Sequence, residues 1–382
     1  MKLTFPDADA YLMISESAHS ADMYYATGFL AHDSFIYLNS NNEKLLISDM
    51  ELGRAKKESH VKEVLPTSTF GIMEKLRILK DIDAAYNGMI LEFLRSENIK
   101  RIAVPYNFPI YIADILRRDG IEVIPVKSPF RKMREVKNDN EIKAIEKAQR
   151  AGEKALTEAI SAIKNAKVGN GVLWHNNAPL TSEKIKSIID TSLLLGGFEA
   201  PDPIVACGRG SADPHWQGEG ELHVGEQIVI DFVPRSKKER YYSDMTRTVV
   251  RGMPSDEIKE MYAAVRAAQE AAIRRIKAGI TGNEVHNIVC DVLEARGYET
   301  SRGKTGVFTE GFIHSTGHGV GLDIHEGPNL SESGKELNVG SVVTVEPGLY
   351  YKKIGGIRLE DVVVVTASGC KNLTMFEKNL VL

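Results

Sequence analysis

Apolar residues first recur in short runs. AYLMIS (10–15), SFIYL (34–38), KLLIS (44–48), IAVP (102–105) and IEVIPV (121–126) are too short for helices and read as strands. Between them, apolar positions at helical spacing cover residues 72–97 and 109–118. Strands that alternate with helices in this way predict an α/β domain. Around SPFRKMREVKNDNE (128–141) the pattern changes. From there Ile142, Ile145, Ala148, Leu156, Ile160 and Ile163 recur along one face of a long amphipathic helix. The pattern places an α/β domain at 1–127, a linker at 128–137 and a second, α+β domain at 138–382.

The second domain repeats itself. TSEKIKSIIDTSLLLGGFEA, from Thr181, aligns without a gap on TGNEVHNIVCDVLEARGYET, from Thr281, so Gly197-Phe198-Glu199 matches Gly297-Tyr298-Glu299. Each copy reads as a helix closed by a C-terminal glycine. Further on, VGEQIVID (224–231) matches VGSVVTVE (339–346), which makes Asp231 and Glu346 equivalent. The next strands, SDMTRTVV and RLEDVVVV, carry Asp244 and Glu360 at separations of 13 and 14 residues from the first pair of acids. The repeating unit is therefore helix, helix and strand hairpin, and each copy supplies two carboxylates.

Those carboxylates stand among β-branched residues, as in IVIDF and VVTVEPG. An isolated ionised acid in a buried strand is costly, so each must be paired, protonated or bound to metal. A structural ion pair explains any one of them. Four at related positions suit a dinuclear centre, where they offset the charge of two divalent ions. The period of two along a strand turns Arg358 and Glu360 to one face, and Asp244 and Thr246 to one face. Arg358 is either a salt-bridge partner or an anchor for a substrate carboxylate.

Composition narrows the classes. The 382 residues exceed one ordinary core, and 43% hydrophobic with 26% charged residues is the make-up of a soluble globular protein. A net charge of −4, with Lys and Arg scattered, gives no footprint for nucleic acid. Three cysteines, Cys207, Cys290 and Cys370, lack metal or redox spacing and suggest reduced thiols. The opening MKLTFPDADAYLMIS has no long apolar run, and no later window reaches the length of a membrane span. A cytoplasmic location without membrane contact is expected.

Three of the ten histidines, His314, His318 and His325, fall in the Gly-rich segment HSTGHGVGLDIHEGP (314–328). Glycines allow close backbone approach, and imidazoles supply ligands or proton carriers. With SDMTRT, VEPGLY and RLED, this segment resembles the pita-bread metallopeptidases, in the Xaa-Pro aminopeptidase and Xaa-Pro dipeptidase (prolidase) branch. The resemblance extends to MREVKNDNEIKAIEKAQRAG and to YYATGF (24–29), which is similar to part of the family's N-terminal creatinase-like domain.

The resemblance implies a dinuclear centre. Asp231 would hold one ion, His318 and Glu346 the other, and Asp244 and Glu360 would bridge them. Mn or Co is expected, with Zn or Fe as alternatives. It further implies metal-dependent peptide hydrolysis in which Glu346 carries the proton to the leaving nitrogen. His325 would stabilise the carbonyl oxygen, and His215 (in SADPHWQGEG) and His314 would position a peptide or dipeptide with proline second. A homodimer is expected, with His32 as a candidate contact to a neighbouring subunit's site. Two departures stand out: Val233 stands where a glycine is usual two residues after the first metal Asp, and DFVPRSKKERYYSD predicts a longer hairpin with the basic tip RSKKER exposed as a solvated turn.

Other readings fit less well. GHGVG lacks the spacing and the strand-to-helix setting of a dinucleotide loop, and no GxSxG elbow is present. The five intact ligands argue against a creatinase, and the N-terminal domain against a methionine aminopeptidase. An aminopeptidase of other specificity and a family-like binding protein remain as alternatives. The far wall of the cleft, which would separate dipeptidase from aminopeptidase, is not visible in the sequence.

Overall fold

The computed structural model describes Leu3, Phe5 and residues 7–382. The chain divides into two compact units, one ending at Met133 and the other running from Arg134 to Leu382.

The first unit follows the order β1 (Ala10–Ser15), α1 (Ala21–Thr27), β2 (Phe35–Asn39), β3 (Glu43–Ile47), α2 (Leu52–Glu58), β4 (Glu63–Pro66), α3 (Ile72–Leu79), α4 (Ile82–Ser96), β5 (Arg101–Pro105), α5 (Ile110–Arg118) and β6 (Glu122–Val126). Its six strands form one sheet in the order β4-β3-β2-β1-β5-β6. Successive residues of β1 serve opposite faces: Leu12 and Ile14 join one apolar cluster, Tyr11 and Met13 the other. Both faces are covered, which is why the strand reads as an unbroken apolar run. The helical stretch expected over 72–97 is two helices. Lys80 takes a left-handed conformation, and the Asp81 carboxylate caps α4 by accepting from the N–H groups of Asp83 and Ala84.

Residues 128–137, expected as a linker, contain α6 (Pro129–Arg134). Phe130 is buried and meets Tyr11, Tyr25 and Tyr37 edge-on, at centroid distances of 6.0, 6.2 and 5.8 Å, so apolar packing fixes this segment.

The second unit opens with α7 (Asp139–Lys164), started by a capping box between Asn138 and Glu141. The first copy of the repeat continues through the small sheet β7 (Lys167–Gly169), β8 (Val172–His175) and β9 (Ala178–Pro179) to α8 (Ser182–Leu195), β10 (Phe198–Glu199), β11 (Ile204–Cys207), β12 (Gln227–Phe232), β13 (Arg235–Ser236) and β14 (Met245–Val250). The second copy comprises α9 (Asp256–Arg275), α10 (Gly282–Glu294), β15 (Gly317–Gly319), β16 (Glu326–Leu330), β17 (Val342–Val345), β18 (Gly348–Tyr351), β19 (Gly355–Arg358), β20 (Asp361–Val365) and β21 (Cys370–Asn372). The sheets are β11-β12-β14 in one copy, and β16-β15-β17-β20-β21 with the hairpin β18-β19 in the other.

Thr181 and Thr281 cap α8 and α10 with their hydroxyls, and each helix pair buries its apolar face against the strands of its own copy. The residues that take the left-handed conformation after these helices are Gly197 and Gly297. The cap positions themselves, Gly196 and Ala295, stay right-handed, and the left-handed glycine follows one residue later in the first copy and two later in the second. The basic hairpin tip is docked, contrary to the solvated turn expected of it. Arg235 pairs with Glu199 and lies over the Tyr242 ring, and Glu239 pairs with Lys147, leaving Lys237 and Lys238 exposed.

Candidate metal centre

Four strand ends and one glycine-flanked strand bring the acids together. Asp231 lies in β12 opposite Thr246 of β14, and Asp244 stands one residue ahead of β14. In the second copy Glu346 follows β17, and Glu360 precedes β20. The copies are joined here by main chain, because the Glu360 N–H donates to the Thr246 carbonyl at 3.1 Å. His318 enters on β15. A Cβ on Gly317 would lie 2.0 Å from the Thr344 carbonyl oxygen, so only glycine lets this strand approach β17 so closely.

Ligand atoms of Asp244, His318 and Glu360 all lie within 4.8 Å of one another. His318 Nε2 is 3.2 Å from Glu346 Oε1 and 3.8 Å from Asp244 Oδ2, while its Nδ1 faces the Gly319 carbonyl at 3.1 Å. Thr344 Oγ1 accepts from the His318 N–H at 3.1 Å and donates to Glu346 Oε1 at 3.2 Å. Thr246 Oγ1 donates to Glu360 Oε2 at 2.8 Å. Arg358 is buried: its Nη2 meets Asp231 Oδ2 at 2.5 Å, its Nη1 the Tyr350 hydroxyl at 2.8 Å and its Nε Thr246 Oγ1 at 3.3 Å.

The electrostatics of this cluster are unbalanced. Burial, compounded by the charge of Asp231, pushes the Asp244 carboxyl well above the usual range, and burial with the charge of Asp244 does the same to Glu360. Although burial pulls His318 down, its hydrogen bond to Glu346 and the nearby acids raise it to about 9. Burial raises Glu346 in turn, and the His318 partner outweighs it, bringing the carboxyl down to about 2. Glu360 Oε1 is buried without a hydrogen-bond partner. Four acids, with an oxygen atom left unsatisfied, require further positive charge to remain ionised together. An oxygen-rich set with one imidazole fits two divalent cations held by Asp231, Asp244, His318, Glu346 and Glu360.

The other histidines surround this centre. His325 stands edge-on to His318, with centroids 4.3 Å apart and planes at 75°, and its outer side is exposed. Burial of the rest of the ring and the charge of His318 lower its pKa. His314 Nε2 meets the Tyr350 hydroxyl at 2.9 Å, and burial holds its pKa down. His215 is exposed beyond a 3-10 turn, with its N–H on Asp213 Oδ1 at 3.0 Å. All three line one cleft of 510 Å³ together with Asp231, Asp244, His318, Glu346, Glu360 and Arg358.

Sequence reasoning missed Tyr350, which ties His314 to Arg358, and Thr344, which steadies both His318 and Glu346. Thr344 carries no signal, and Tyr350 is marked only as the end of the VEPGLY segment. Each is an ordinary strand residue until the partner strand is in place.

Residues 143–367 match the model for metallopeptidase family M24, and residues 6–136 match the creatinase/prolidase N-terminal domain. The chain is 33% identical over 371 residues to an Xaa-Pro dipeptidase of Pyrococcus horikoshii, covering 95% of this chain and 93% of that protein. Among solved structures, an Xaa-Pro dipeptidase from Bacillus anthracis superposes with a TM-score of 0.81 at 27% identity, covering 98% and 95% of the two chains. An X-Pro aminopeptidase from Thermotoga maritima superposes at 0.80 and 29% identity, covering 98% of each. With an N-terminal creatinase-type domain ahead of a pita-bread catalytic domain, the chain belongs to metallopeptidase family M24.

Proposed function

We propose that the protein hydrolyses the bond between an N-terminal residue and a following proline, in Xaa-Pro dipeptides or at the start of longer peptides. The unsatisfied Glu360 Oε1, among four acids and one imidazole, is the observation that carries the metal-dependent reading. The proline preference is supported by the names of the dipeptidase and aminopeptidase relatives. Two divalent ions, Mn or Co in our reading, would activate water and polarise the scissile carbonyl when bound.

The chain's own residues do the rest. Glu346, which lines the cleft, takes a proton on its carboxylate and passes it to the leaving nitrogen. His325 presents an N–H to the carbonyl oxygen as negative charge grows there. His215 and His314 position the peptide. Arg358 is engaged with Asp231, Tyr350 and Thr246, and these contacts favour a role in orienting Asp231 over anchoring substrate. Three free thiols suit a cytoplasmic setting, and we expect a homodimer.

The test is hydrolysis of a matched Xaa-Pro dipeptide and Xaa-Pro-Yaa tripeptide after chelation and reconstitution with Mn or Co, beside His318→Ala. Metal-dependent cleavage lost in the variant is the expected result, and the ratio of the two rates assigns dipeptidase or aminopeptidase. A folded protein holding two metals that cleaves neither peptide overturns the reading.

A further inference from the structure

His325, itself exposed, ends a turn that starts at the buried Gly321 and Leu322. Charge braces that turn from behind. The neighbouring side chain, Glu326, is almost wholly buried and lies between two cations: Oε1 is 2.7 Å from Lys137 Nζ, and Oε2 is 3.0 Å from Arg134 Nη1. Both cations are themselves buried. Arg134 reaches a second acid on the same turn, donating from Nη2 to Asp323 Oδ2 at 2.8 Å. The carboxylate fills the inside of the turn, since a Cβ on Gly321 would lie 2.4 Å from Glu326 Oε1. The turn's first residue is fixed separately, because the Tyr242 N–H donates to the Gly321 carbonyl at 2.7 Å.

The geometry points to Glu326 as a positioning residue for His325, held by a Lys137 and Arg134 clamp that sets the imidazole edge-on to His318. This rests on the reading of His325 as the donor to the carbonyl oxygen. Three buried charges cost desolvation, and an apolar trio of similar size could fill the same space. Retaining ions here makes sense if the carboxylate must be held in one place, where two buried cations draw it from two sides. The clamp also reaches from the segment ahead of α7 to the Gly-rich turn about 190 residues later, so neither segment sets the ring position by local sequence alone.

The experiment compares Glu326→Gln, His325→Ala and the double variant in the metal-loaded enzyme. It also follows the His325 imidazole resonances, assigned by their loss in His325→Ala, in the metal-free protein. Glu326→Gln should lower kcat by about 10-fold to 100-fold with KM little changed, as loss of a supporting partner does. It should also shift the His325 resonances, because the ring leaves the face of His318. In the His325→Ala background the same change should cost less than about 2-fold, since the two residues act as one unit.

Unmoved resonances, or costs that simply multiply in the double variant, overturn the inference. If His325→Ala leaves kcat unchanged, the donor reading of His325 fails, while the resonances still decide whether Glu326 positions the ring. Should Glu326→Gln fail to fold, Lys137→Met removes one cation, leaves the carboxylate on Arg134, and is read in the same way.

Discussion

Arg247 holds Glu360 through the main chain. Its Nη1 donates to the Glu360 carbonyl at 2.6 Å and to the Thr246 carbonyl at 2.9 Å. The rest of the guanidinium is equally occupied: Nε reaches the Glu377 carbonyl, and Nη2 the Phe376 carbonyl and Asp361 Oδ1. All five N–H groups of a fully buried arginine are satisfied, and two of the acceptors belong to residues that frame the centre.

Arg247→Met should therefore cost stability and metal affinity together. Removing one partner of a buried ion pair typically costs about 3–5 kcal/mol. Asp361 keeps Lys378 at 2.6 Å and Asn372 at 2.7 Å, so the lower end is expected. Urea denaturation of the metal-free protein measures this. A loss below about 1 kcal/mol, the net worth of one ordinary hydrogen bond, would contradict it.

Thr246 offers a quieter lesion. Its hydroxyl donates to Glu360 Oε2 and accepts from Arg358 Nε, so Thr246→Val keeps the shape and removes the bridge between a proposed metal ligand and the arginine beside Asp231. Loss of such a supporting partner lowers metal affinity or activity by about 10-fold to 100-fold. Metal titration by calorimetry, compared with wild type, checks the size, and equal affinities would show that the hydroxyl has no such role.

The thiols should be slow to react. Burial pushes Cys207 up to about 12 and Cys290 up to about 11, and raises Cys370 as well. Since the thiolate is the nucleophile, Ellman's reagent at pH 7.5 should find no rapidly reacting cysteine in the native protein and three in guanidinium. One fast native thiol would show that burial does not protect that site.

Much of the architecture was legible because it is periodic. The strands of the first unit are apolar on both faces, and the acids of the second recur in a repeat, so Asp231, Asp244, Glu346 and Glu360 could be picked out by position alone. The break at Lys80-Asp81 was hidden by apolar spacing that continues across it, although Asp81 is a recognisable cap residue. The docking of the hairpin tip was invisible because it depends on Glu199 and Lys147, partners remote in sequence. The same holds for the clamp on Glu326. Arg134 and Lys137 lie in the segment expected as a linker, and their common partner Glu326 is remote in sequence.

The proposed ligands come from both copies of the repeat, with Asp231 and Glu360 standing 129 residues apart (360 − 231). Ions bound here would thus act as a removable staple across the internal two-fold, closing a long loop of chain that either copy alone leaves open. Bound metal then reports on more than catalytic readiness. A molecule in which either copy is misassembled has half a coordination set, so metal content per chain is a direct gauge of how much of a preparation has folded as one domain.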